Sequence, residues 1–280
     1  MIKINEFKKV FEDESEKIFD SLGVIDILND SIKYSFFSGG KRLRPWIIYN
    51  IGRYYNIEEE ILYKIGFAVE VLHTASLIHD DLPAIDNSDY RRGNETNHKK
   101  YGEWAAILTG DLGFILPFKI LSDNNLSKLN SFFSEIIIKL IEGETLDIAF
   151  EKKLFVPSKN QIEEMYEKKT SSLFEFCFSY APFLKDNYND FETLRKVGKS
   201  FGLAFQIYDD LKDLYGTFDE VGKDLKNDEN KYTLLKVMDS IEAKKYADML
   251  FDEAILSLKK LNMEFLVEEL IKIKSLIERK

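Results

Sequence analysis

Leu77-Ile78-His79-Asp80-Asp81-Leu82-Pro83-Ala84-Ile85-Asp86 joins the end of a long apolar segment to an acidic loop. The residues before it carry apolar side chains at three- and four-residue spacing, which predicts a buried helix over 58–80. Pro83 has no N–H to donate and its ring clashes with the preceding turn, so Asp80 and Asp81 occupy the last turn of that helix. Carboxylates at a helix C-terminus oppose its dipole and repel each other. A sequence shaped only for stability would place lysine there.

A second acidic segment, Phe205-Gln206-Ile207-Tyr208-Asp209-Asp210-Leu211-Lys212-Asp213, falls inside a predicted helix over 190–215. Asp209 and Asp213 are four apart and share a face, with Gln206 one turn back on the same stripe. Mg²⁺ suits such a pair, because it is held by one or two carboxylates together with waters and phosphate oxygens. Either cluster alone reads equally as a solvated acidic face in a chain of net charge −10. Their surroundings favour the other reading. Both sit in apolar helices, and each is followed by cations, Arg91 and Arg92 after the first and Lys223 and Lys231 after the second. Carboxylates for a metal and cations for oxyanions are what a diphosphate site requires.

Along the rest of the chain the period is helical nearly everywhere, and no convincing alternating strand appears. Helices are predicted at 3–20, 24–38, 43–55, 58–80, 103–121, 126–151, 159–183, 190–215, 232–239, 241–260 and 263–278. The fold class is therefore all-α, in one domain over 1–280. The two longest loops, Pro83 to Tyr101 and Gly216 to Lys231, each begin just after an aspartate pair.

Composition narrows the function further. A single cysteine, Cys177 in an apolar run, excludes an intrachain disulfide and reads as core. Three histidines without paired spacing argue against zinc. The net charge of −10 opposes wholesale binding to nucleic acid or an anionic membrane. No signal-peptide pattern and no uncharged run of membrane-spanning length are present, so no transmembrane segment is expected and a cytoplasmic location is the default.

Ser38-Gly39-Gly40-Lys41-Arg42-Leu43-Arg44-Pro45 sets three cations behind two glycines at a predicted helix start, where a backbone can approach an anion closely. An ordinary basic first turn would look the same. Taken in order, Gly39-Gly40-Lys41-Arg42-Leu43-Arg44-Pro45, His79 to Asp86 with Arg91-Arg92-Gly93, and Phe205 to Asp210 resemble the trans-isoprenyl diphosphate synthases, the family of farnesyl and geranylgeranyl diphosphate synthases. Asn97-His98-Lys99, Leu108-Thr109-Gly110-Asp111 and Lys168-Lys169-Thr170 are lesser matches. Glu144 stands where that family usually has glutamine, Ser171 replaces a glycine, and a shortened stretch between Asp228 and Lys231 unsettles the register of Lys231.

The resemblance implies the isoprenoid synthase fold, a bundle of about ten or more helices around a central substrate cavity. It implies a homodimer and a head-to-tail condensation of isopentenyl diphosphate with an allylic diphosphate. Asp80, Asp81 and Asp86, with Asp209, Asp210 and Asp213, would hold three Mg²⁺. Arg91, Lys169 and Lys223 match positions that bind the allylic diphosphate, with Gln206, Thr170 and Lys231 beside the reacting carbons. Lys41, Arg44, His73 and Arg92 match the isopentenyl diphosphate pocket. A class I terpene cyclase or a catalytically silent partner subunit is the remaining alternative, and the presence of both clusters and of the Gly39-Gly40 segment speaks against each. The resemblance also implies that Ala75 and Ser76, one turn before Asp80, set chain length; alanine where farnesyl synthases carry an aromatic ring leads to an expected geranylgeranyl product, with farnesyl diphosphate second and Phe114 and Phe118 as the alternative, deeper floor.

Overall fold

Residues with helical apolar spacing form helices almost throughout a computed structural model that describes residues 1–215 and 231–278. α1 (Ile4–Ser21), α2 (Asp26–Phe37), α3 (Leu43–Tyr54), α4 (Glu59–Asp80), α6 (Glu103–Asp123), α7 (Lys128–Glu151) and α10 (Tyr188–Tyr215) lie within two residues of their predicted bounds. So do the final helices, Ser240–Lys260 and Glu264–Glu278.

Three stretches differ from expectation. Predicted helix 159–183 is α8 (Lys159–Tyr166), a π-turn at Glu167–Ser171 and α9 (Ser172–Leu184). Predicted helix 232–239 shrinks to a 3₁₀ turn, Leu234–Lys236, because the Asp239 side chain caps the next helix by accepting from the N–H groups of Ile241 and Glu242. The loop from Pro83 to Tyr101 contains a small hairpin, β1 (Tyr90–Arg91) against β2 (Asn94–Glu95), followed by α5 (Asn97–Tyr101). The hairpin turns on Arg92 and Gly93, both at positive φ (54° and 80°), the geometry of a tight two-residue turn.

Two compact units divide the chain, Met1–Asn130 and, from Ser131, the remainder of the described residues. In the first, α4 is the central helix, and Phe19 meets Phe67 at 4.7 Å and Phe36 at 5.1 Å in edge-on contacts. α4 and α6 approach closely at Gly113, where a Cβ would lie 2.5 Å from that of Ala75. In the second unit, α9 is buried on nearly every side: Phe174, Phe176, Cys177, Phe178 and Tyr180 are all inaccessible to solvent. α4 and α6 are long and apolar enough to cross a membrane by length and composition; 78% of the most apolar window of α4 is buried, as in a core helix, against 50% for α6.

Candidate active site

At the end of α4 the chain folds back on itself. The N–H groups of Asp86 and Ser88 donate to the carbonyls of Asp80 and Asp81, at 2.9 and 3.2 Å, which returns Asp86 to the helix end despite its six-residue separation. Asp81 is buried, and Arg91, carried by β1, donates to both its carboxylate oxygens through Nε (2.8 and 3.0 Å) and Nη2 (2.7 Å). Burial pushes the Asp81 carboxyl up, and the guanidinium opposes that rise. Arg92 points away from its neighbour, and its Nη1 donates to the Gly39 carbonyl at 2.6 Å.

Gly39 and Gly40 are both at positive φ, and a Cβ on Gly40 would sit 3.0 Å from Nη1 of Arg92, so the loop before α3 and the hairpin are brought together by residues that can pass this closely. Nη1 of Arg44 lies 3.4 Å from Nε2 of His73. Burial, then Arg44 and Arg92, hold His73 well below its usual pKa, so the ring is neutral and Nε2 accepts. Asp81, Arg91, Arg92, His73, Glu70 and Thr74 line one cleft of about 420 Å³. Lys41 is exposed beside this loop.

Of the three cations quoted from that loop, Arg42 belongs to the core. It is 2% exposed in a left-handed conformation (φ 52°), donating to Glu70 (2.8 Å), Glu12 (3.1 Å) and the Phe36 carbonyl (2.6 Å). Sequence spacing could not separate it from its neighbours, because its partners come from α1, α2 and α4.

In the second unit a chain of hydrogen bonds crosses the second cluster. Thr170 donates to Oε1 of Gln206 (2.6 Å), and Nε2 of Gln206 donates to Oδ1 of Asp210 (3.0 Å). The Tyr166 hydroxyl donates to Oδ2 of Asp210 and accepts from the Leu234 N–H at 3.1 Å. Burial is the main reason the Asp210 carboxyl is pushed up to about 7; the two hydrogen bonds lower it, and Asp209 and Asp213 raise it again. Lys169 reaches Glu144 and Asp147 of α7, each at 2.6 Å. The backbone of Lys169 passes close to Gly143, where a Cβ would lie 2.2 Å from the Lys169 backbone nitrogen. The π-turn therefore presses the Lys169-Thr170 segment onto α7. Tyr166, Glu144 and Asp147 were absent from the site residues expected from sequence; the mismatch at Glu144 was the one available signal. Lys231 is half-buried, and Lys223 lies outside the described residues.

The positions expected to set chain length lie on α4. Ala75 is inaccessible and faces Gly113 in the α4–α6 seam, and the Ser76 hydroxyl donates to the His73 carbonyl at 3.0 Å. A larger side chain at 75 would crowd this seam.

The polyprenyl synthetase family model matches residues 25–273. The chain belongs to the polyprenyl synthetase family. As a member it is a trans-prenyltransferase, a short-chain prenyl diphosphate synthase. It is 35% identical over 252 residues to the farnesyl diphosphate synthase of Bacillus subtilis (strain 168), covering 85% of this chain and 84% of that one. The crystal structure of a geranyltranstransferase from Thermotoga maritima superposes with a TM-score of 0.89 at 37% identity, covering 99% of both chains. A geranyltransferase from Helicobacter pylori, complexed with magnesium and isoprenyl diphosphate, superposes with a TM-score of 0.80 at 27% identity, over 98% of this synthase and 97% of that chain. Further relatives of the synthase carry the farnesyl name, and another is named geranylgeranyl diphosphate synthase.

Proposed function

We propose that this synthase condenses isopentenyl diphosphate with an allylic diphosphate and releases farnesyl diphosphate as its main product. The observation that carries the reading is the cleft at the end of α4, where Arg91, Arg92 and Arg44 surround a neutral His73 beside a carboxylate-rich loop. The farnesyl names of several relatives support fifteen carbons over the twenty expected from Ala75, whose side chain is spent on the seam with Gly113.

Mg²⁺ fits the donor set, which is hard carboxylate oxygen throughout, and the magnesium in the Helicobacter relative supports its use. When bound it would neutralise charge developing on a departing diphosphate. Asp80, Asp81 and Asp86 in one unit, and Asp209, Asp210 and Asp213 in the other, would hold it, with three ions as the full complement. Arg91 and Lys169 meet negative charge on the allylic diphosphate with fixed positive charge, and Lys223 is assigned the same role from sequence. Arg92, Arg44 and Lys41 bind the second diphosphate, and neutral His73 accepts from Arg44 and so orients it. Thr170, Gln206 and Lys231 stand beside the reacting carbons.

A homodimer is supported by a stripe on α6, where Trp104, Ile107, Leu108 and Ile115 are exposed at helical spacing. The family match crosses both units, which supports one domain over 1–280, and a cytoplasmic enzyme without nucleic-acid partners is the accompanying reading.

Chromatography of products formed with dimethylallyl, geranyl and farnesyl diphosphates as starters tests the assignment. A fifteen-carbon diphosphate from the first two is expected; a twenty-carbon product with all three would restore the longer chain. Ala75→Tyr sharpens the result: the ring has to displace α6, so a loss of about 1–3 kcal/mol of stability is expected. A fully stable variant with a shorter product would return Ala75 to a tail channel.

A further inference from the structure

Lys169 sits between two carboxylates that share a face of α7. Its Nζ is 2.6 Å from Oε2 of Glu144 and 2.6 Å from Oδ2 of Asp147, and the side chains are only 16% and 11% exposed. The other Glu144 oxygen, Oε1, is buried with no hydrogen-bond partner among the described residues. An unsatisfied buried carboxylate oxygen is rare where stability alone is at stake. Glutamine at this position would keep the size and could still accept from the lysine, without adding a second negative charge. As built, two anions surround one cation at the very lysine assigned to a multiply charged anion.

Resting on the assignment of Lys169 to the allylic diphosphate, we propose that Glu144 makes the site discriminate between free diphosphate and diphosphate already carrying Mg²⁺. A free diphosphate meets the excess negative charge of Glu144 and Asp147, and drawing Lys169 towards it leaves both carboxylates uncompensated. A magnesium-loaded diphosphate brings less negative charge and meets less of that repulsion. Glu144 is thus a specificity-determining residue that acts through Lys169, and Asp147 holds the lysine's other side.

Calorimetric titration with inorganic diphosphate, with and without Mg²⁺, tests this in wild type, Glu144→Gln and Lys169→Ala. Glu144→Gln is expected to bind free diphosphate about tenfold more tightly than wild type, with a gain under about threefold when Mg²⁺ is present. Glu144→Ala removes the same charge and should move free-diphosphate affinity in the same direction, which keeps the test decisive if the glutamine variant folds poorly. Equal gains with and without Mg²⁺, or no gain in either variant, overturn the proposal while a weakened Lys169→Ala leaves the diphosphate assignment standing. Wild-type affinity in Lys169→Ala overturns that assignment and this inference together.

Discussion

Asp81, buried, and Asp210, half-buried, are each the second aspartate of an Asp-Asp pair, yet their surroundings differ in kind. A guanidinium closes on both oxygens of Asp81. Among the described residues Asp210 receives only neutral donors, the Tyr166 hydroxyl and the Gln206 amide, with two further carboxylates nearby. A full positive charge stabilises a buried anion; hydrogen bonds from neutral groups do so only in part. Asp81 is thus paired with a full positive charge within the protein, whereas Asp210 has only neutral donors beside it, so an added cation would change the surroundings of Asp210 more.

Arg91→Ala should do the most damage, because it strands Asp81 as a buried, unpaired charge. A stability loss of about 3–5 kcal/mol is expected in denaturant unfolding, together with a raised Michaelis constant for the allylic substrate. A loss confined to the Michaelis constant would mean that Asp81 is not held by this pairing. Tyr166→Phe is the matching change at the second cluster. It removes one neutral donor and the acceptor of the Leu234 N–H, for a smaller cost of about 1–2 kcal/mol. Equal costs for the two variants would erase the contrast.

The smallest effect is a gain that depends on pH. Asp210 is pushed up to about 7 from an ordinary 3.8, so between those values the folded protein holds a proton that the unfolded chain has lost. Stability therefore falls as pH rises through that window, and the penalty is complete above about pH 7. Asp210→Asn should raise the melting temperature of magnesium-free protein at about pH 8 by roughly 2–4 °C and have little effect near pH 4. An unchanged melting temperature at about pH 8 would show that Asp210 carries no such penalty. The same proton must leave when metal binds, so Mg²⁺ affinity should climb with pH towards neutrality.

The placement of the two aspartate pairs at the end of α4 and within α10, and nearly all the helices, were legible because their signals are local: apolar period, Pro83 after Asp81, and four-residue carboxylate spacing. What escaped depends on residues distant in sequence. Arg42 is drawn inward by Glu12 and Glu70, the π-turn packs against Gly143, and Ala75 meets Gly113 across the seam. The hairpin was missed for a different reason. Its turn puts an arginine, in place of the usual Asn or Gly, at the first positive-φ position.

The most direct measurement of the whole account is turnover of isopentenyl diphosphate with geranyl diphosphate by wild type, Asp80→Ala and Asp209→Ala, each with Mg²⁺ and with excess chelator. Wild type with Mg²⁺ should yield an elongated fifteen-carbon diphosphate, chelator should abolish it, and each variant should lose orders of magnitude in rate with its helical circular dichroism intact. Full turnover in chelator, or variants as active as wild type, would contradict the assignment of these two clusters to a metal-assisted condensation.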